Sequence, residues 1–147
     1  MKTLSELATE FNNLVPAEAV EQGKRLDEMD QKLMRGTLAE RFMAREEVEK
    51  FLAEATALFG YFSAKYHMWK TIRENLENAK YMDVKTQTVA SGDKFVSAAA
   101  EREGKAEANG ARALESFFES GWERCMEYIN TAKRLLRGEE NDRRHDR

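Results

Sequence analysis

Two histidines, one cysteine and 27 carboxylates are the groups in this chain of 147 residues with which a metal ion or a proton transfer would have to work. His67 and His145 have no cysteine or second histidine at ligand spacing, and Cys125 stands alone, so neither a zinc site nor a disulfide framework is written here. The carboxylates Glu115, Glu119, Glu123 and Glu127 follow one another at helical spacing among Lys and Arg neighbours, as on a solvated helix face. A di-metal carboxylate bundle needs Glu-x-x-His twice, and the motif is absent. No glycine-rich phosphate loop follows a strand, and no serine or cysteine has an evident base. These residue types point to a protein that is not an enzyme and that uses no metal or cofactor. Cys125 reads as a small buried hydrophobe.

The aromatic cluster FGYFSAKYHMWK is the second candidate. Phe59, Phe62, Tyr66 and Trp69 recur at intervals of three, four and three, while Tyr61 lies off that stripe and close to Lys65. Exposed aromatics beside basic residues stack on the bases of single strands. The regular helical interval favours a core stripe instead, leaving Tyr61 and Tyr81, near Lys65, Lys80 and Lys85, as the better contacts for nucleic acid.

Helices must position these residues. One proline, few β-branched residues and abundant Glu, Ala, Lys, Arg and Met favour an all-α chain. Thr3 and Glu6 have capping-box spacing ahead of Leu4, Leu7, Phe11 and Leu14, and Pro16 imposes a fresh start before Leu26, Met29 and Leu33. Gly36 is a helix stop, and Thr37 with Glu40 repeats the capping box, so residues 1–36 are expected to form short N-terminal helices and a long helix to begin after them. From Leu38 and Phe42 the apolar stripe runs to Leu76; reaching Tyr81, such a helix would be about 65–70 Å long. It needs a second helix, other subunits, or both, to cover it.

The rhythm fails across 83–93, where Ser91, Gly92 and Asp93 are turn and N-cap residues and Ser91 or Asp93 is expected to cap the next helix. That helix, from Phe95 to Leu136, is rich in Ala and Gly in its first half, including Gly104, Gly110 and Gly121, and restores bulk in its second with Phe117, Phe118, Trp122, Met126 and Ile129. Phe118 and Trp122 thus join Phe59, Phe62, Tyr66 and Trp69 as the stripe of core or oligomer contacts. Small residues allow close helix approach, and packing must offset the roughly 1 kcal/mol by which each glycine weakens a helix. Residues 37–136 therefore read as a long helical hairpin of coiled-coil type, assembling as an oligomer because one copy is not expected to cover its own seam. Residues 137–147, without an apolar side chain, read as a disordered tail.

Formal net charge is −3. Residues 1–64 carry 8 basic and 12 acidic groups, 65–105 carry 8 and 6, and 106–147 carry 8 and 9, so only the middle is net positive. The start of the chain lacks the apolar run of a signal peptide, and nowhere do eighteen apolar residues follow one another; a soluble cytoplasmic protein without a membrane partner is expected.

Within the break, Thr88, Val89, Ser91, Asp93, Lys94 and Val96 resemble a T-V-x-S-x-D-K-x-V segment of the UvsY recombination mediators of tailed phages. Trp69 ahead of a lysine- and glutamate-rich run, and Trp122 and Cys125 in the final helix, are similar in context, and the resemblance spans about residues 60–136. It implies a noncatalytic ring-forming homo-oligomer that binds single-stranded DNA and helps load a RecA-type recombinase onto strands coated by single-strand-binding protein, in the host cytoplasm if phage-encoded. The family's basic and aromatic run before the T-V segment falls here on Lys80, Tyr81 and Lys85, with fewer basic residues and Asp83 among them; Lys94 lies inside the motif and Lys65 upstream. The acidic first 64 residues favour an alternative, a helical inhibitor or adaptor that binds protein and no nucleic acid.

Overall fold

The computed structural model describes residues 2–11, 14–33 and 45–145, with side chains described as far as residue 138. Gly36, Thr37, Leu38, Glu40 and Phe42, on which the expected start of the long helix rested, lie outside the described residues. Among those described the fold is all-α: α1 (Leu4–Glu10), α2 (Ala17–Lys32), α3 (Arg45–Ala90), α4 (Ser97–Glu107) and α5 (Asn109–His145). α3 pairs with α4 and then α5 in an antiparallel hairpin: Tyr81 meets Ser97, Arg73 meets Glu115, Phe62 meets Phe117 and Phe51 meets Tyr128.

The predicted capping box forms, with the Glu6 amide donating to Thr3 Oγ1 and the Thr3 amide to Glu6 Oε2, both at 3.1 Å. A second cap comes from α2. Asp27 accepts the Leu4 amide at 2.9 Å, and the Ser5 amide and hydroxyl at 3.1 and 2.9 Å, supplying the acceptors that a helix start lacks. Arg124 of α5, its side chain only 9% exposed, donates to Asp27 at 3.4 Å and to the Lys2 carbonyl. One carboxylate and one guanidinium thus bind α1, α2 and α5 together. Pro16 precedes α2 as its N-cap, in keeping with the proline's missing amide.

The core is filled by Leu4, Leu26, Met29, Phe62, Phe117, Phe118 and Cys125. Close approach depends on glycine at two crossings. A Cβ on Gly121 would enter the Phe62 ring, and one on Gly104 would stand 2.8 Å from the Glu77 carbonyl oxygen. The small residues of the returning strand of the hairpin therefore do what their size allows, and packing offsets their weak helix propensity.

Four expectations change. The helix does not end near Met82; α3 persists through the polar run to Ala90, which accommodates its polar side chains within the helix: the Thr88 and Ser91 hydroxyls bond back to the carbonyls of Val84 and Gln87 at 2.7 and 2.8 Å, and Gln87 pairs with Asp83 one turn earlier. Ser91, Gly92 and Asp93 do not cap the next helix but terminate this one. The Asp93 amide donates to the Thr88 carbonyl and the Gly92 amide to that of Val89, both at 3.1 Å, with Gly92 at φ 77°, which is a Schellman motif. The next helix starts only at Ser97, behind Val96 and without a side-chain cap, and is interrupted at Ala108, so the stretch expected as one helix is two. Beyond Gly138, where a disordered tail was expected, the backbone stays helical to His145; extending an existing helix costs far less than nucleating one.

The need for other subunits also falls away at the seam where it was inferred. Phe62 is fully buried inside one chain, Phe59, Tyr66 and Trp69 pack against the core, and α1, α2 and α5 supply the cover. The short N-terminal helices close the greasy end of the pair.

Candidate nucleic-acid interface

The hairpin has two unlike halves. Up to Phe62 on α3 and from Leu114 on α5 lies the core; beyond it, α3 with α4 and the start of α5 form an arm whose buried side chains are small, Ala100, Ala108 and Ala111. The two halves meet at an ion-pair cluster. Arg73 holds Glu115 across the hairpin and Glu77 at 3.2 Å on its own helix, and Arg112 reaches the same Glu77. Glu115 is 12% exposed and bound, so the face expected to be wholly solvated is not. Its hydrogen bond to Glu115 holds the Arg73 pKa above the usual value, and burial together with neighbouring Glu123 and Glu115 raises that of Glu119.

The structure brings Tyr81 and Lys85 together at the end of the arm. Tyr81 shares a hydrogen bond of 3.1 Å with Ser97 Oγ and sets its ring edge-on to Phe95, with centroids 5.7 Å apart. Lys85 Nζ lies 5.7 Å from the centroid of the same Phe95 ring, a cation–π geometry. Lys94 is exposed in the extended link beside Phe95, and Lys80 is half-buried one residue before Tyr81. Lys65 stands apart, about 22 Å down the helix axis from Lys80. None of these four lysines makes an ion pair with a described residue, whereas Arg73 and Arg112 are consumed by Glu77 and Glu115. The positive excess of the middle segment is therefore carried by lysines spread along and around a narrow arm and not by a dense patch. Between α3 and α4 a shallow cleft lined by Glu77, Asn78, Tyr81, Glu101 and Lys105 holds two acids against one lysine, poor surroundings for a phosphate.

The stripe aromatics are occupied within the chain. Tyr66 stacks on Trp122 at 5.1 Å and 13°, Phe59 lies 6.5 Å from Trp122, and Phe62 is held between Phe117 and Phe118. They pack on the core, as their interval predicts, Phe62 completely and Phe59, Tyr66 and Trp69 in part. Tyr61 joins them edge-on to Phe62 and Phe118; burial and then Glu18 push its pKa up to about 12. His67 donates from Nδ1 to the Ser63 carbonyl and rests against Tyr66 and Trp122 as an ordinary helix residue. Cys125 is buried, and burial pushes its thiol up to about 12, far from a nucleophile's range. Among the described residues no group of three His, Cys, Asp or Glu side chains converges as metal ligands, and no helix is long and apolar enough to cross a membrane.

Phe95 and Ser97 were not singled out from sequence, although they position Tyr81 and Lys85. Phe95 carried the only available signal, an aromatic directly after the lysine of the break. Comparisons with protein-family models, with curated proteins and with solved structures give no match to this chain.

Proposed function

We propose that this chain is a noncatalytic binding protein that holds single-stranded DNA along the α3–α4 arm and acts as a recombination mediator, helping a RecA-type recombinase onto strands coated by single-strand-binding protein. One observation carries the reading. The segment that resembles the mediators, Thr88 to Val96, forms the exposed end of the arm, and Lys80, Lys85 and Lys94 around it have no acidic partner among the described residues. Each free ammonium neutralises a phosphate and releases its condensed counterion, so binding falls steeply with salt. Three or four such contacts hold a strand weakly; several copies on one strand multiply the hold without new contacts. Phe95, clamped by Tyr81 and Lys85, would keep the basic end in a fixed shape.

The triple variant Lys80→Ala, Lys85→Ala, Lys94→Ala tests this. It is expected to lose retention of a labelled oligonucleotide at low salt while its helical circular dichroism stays unchanged; retention equal to that of the unaltered chain removes the nucleic-acid reading. A second reading, a helical inhibitor or adaptor that binds protein, is favoured by Met82, Val89 and Val96, which are 55, 64 and 53% exposed at the same end of the arm. Gel filtration with and without oligonucleotide separates the two, since only the mediator co-elutes with the strand.

A further inference from the structure

The face of α3 turned away from α4 and α5 has its own order. Ile72, Asn75, Ala79, Met82, Thr86 and Val89 follow at intervals of three, four, three, four and three, the a/d repeat of a coiled coil, and Met68 extends it by a further step of four. This stripe is opposite the one that carries Phe62, Tyr66, Arg73, Glu77 and Tyr81 into the hairpin. Most of it is open: Asn75, Ala79 and Thr86 are exposed, as are Met68 at 41%, Met82 at 55% and Val89 at 64%, and Ile72 is half-buried. An open heptad seam on a helix this long calls for another helix of the same kind.

We propose that two copies of the chain pair antiparallel through this seam, about a two-fold axis passing between Lys80 and Tyr81. Each layer then finds an unlike and fitting partner: Ile72 meets Val89 of the second copy, Asn75 meets Thr86, and small Ala79 meets long Met82, after which the three layers repeat in reverse. The polar layers meet each other and leave no amide against a methyl. In the parallel arrangement each layer meets itself, so Ala79 faces Ala79 where a gap results and Met82 faces Met82 where bulk collides. Charge agrees with the antiparallel choice. Glu74 and Lys85 lie on the same flank of the stripe, on opposite sides of the axis, and within about 3 Å of equal distance from it, so Lys85 of each copy reaches Glu74 of the other. Glu74 is 51% exposed and its nearest cation, Arg73, is at 3.8 Å, which leaves it able to accept. The parallel arrangement sets Lys85 beside Ala90. The paired length of about 26 Å is short for a standard interface, so the dimer is reversible and depends on concentration.

This pairing does not involve the core stripe; it shares Lys85 with the proposed strand-binding set, so a bound strand competes for the Lys85–Glu74 ion pair while the Ile72–Val89 seam itself needs no nucleic acid. Sedimentation equilibrium of the full chain over a concentration series is expected to give a monomer–dimer isotherm. Met82→Glu should lose the dimer with helicity unchanged, since the side chain it replaces is on the surface. Lys85→Glu should weaken association roughly fivefold, and Glu74→Lys with Lys85→Glu should regain it. Orientation is read by oxidative crosslinking: the double variant Asn75→Cys, Thr86→Cys should form an intermolecular disulfide and Asn75→Cys alone should not. A monomer at every concentration, a dimer that survives Met82→Glu, or equal crosslinking of Asn75→Cys alone overturns the proposal.

Discussion

A methyl group at Gly121 and a methyl group at Gly60 have opposite fates. At Gly121 it enters the ring of Phe62, which is fully buried and held between Phe117 and Phe118, so no rotamer relieves the overlap. At Gly60, in the middle of α3, it meets nothing within 4 Å. Gly121→Ala is therefore expected to destabilise the fold by about 1–3 kcal/mol, the range for overpacking, despite alanine's better helix propensity. Gly60→Ala is expected to stabilise it by about 1 kcal/mol through that propensity alone. Urea denaturation of the two variants checks both signs; a stabilised Gly121→Ala would mean that α3 and α5 do not cross where Phe62 places them. The alanine- and glycine-rich composition of the returning helices announced close approach, but which glycine meets an aromatic ring is a matter of three-dimensional register, on which the one-dimensional spacing is silent.

At the scale of elements, what was legible was what local chemistry encodes. The Thr3–Glu6 box, the restart at Pro16 and the Phe59–Phe62–Tyr66–Trp69 interval all involve groups within a turn or two of each other, and each has the structural consequence its spacing implies. The end of α3 was misplaced because hydroxyl back-bonds and the Gly92 C-cap use the same Ser, Thr, Gly and Asp residues as an N-cap does; composition names the punctuation and not the side on which it acts. The Asp27–Arg124 link was invisible for a plainer reason: its members are 97 positions apart. That link makes α1 conditional. Asp27→Ala leaves the Leu4 and Ser5 amides without their acceptor and Arg124 largely buried without its counter-charge, so a loss of about 2–3 kcal/mol is expected. The amides of α1 should then exchange with solvent before those of α2 do. Equal protection of α1 in the variant and the unaltered chain would show that Leu4 burial alone holds the helix in place.

For the molecule as a whole, the uneven distribution of buried bulk decides more than the hairpin topology does. Every large buried side chain lies in α1, α2 or the residues that flank α2, the start of α3 or the length of α5 from Leu114, and the arm beyond the Arg73–Glu115 cluster is held by alanines, one glycine crossing and the Tyr81–Phe95–Lys85 contact. The hydrophobic contribution scales with apolar area removed from water, so the free energy of opening the arm is a fraction of that of unfolding the body. Native-state hydrogen exchange is accordingly expected to run roughly 100-fold faster in residues 78–90 and 97–107 than in 48–62 and 117–132. Protection that is uniform along α3 would contradict this division. The same measurement reports on what the arm does. A partner that orders the arm, whether a strand, a protein or a second copy on the outer seam, slows exchange there by suppressing the local opening, and slows the body only through the global unfolding that binding also opposes. A second copy slows it along Ile72, Ala79 and Met82 as protein concentration rises, and a nucleic acid slows it around Lys85, Lys94 and Phe95 at fixed concentration, so the pattern along one helix tells the two apart.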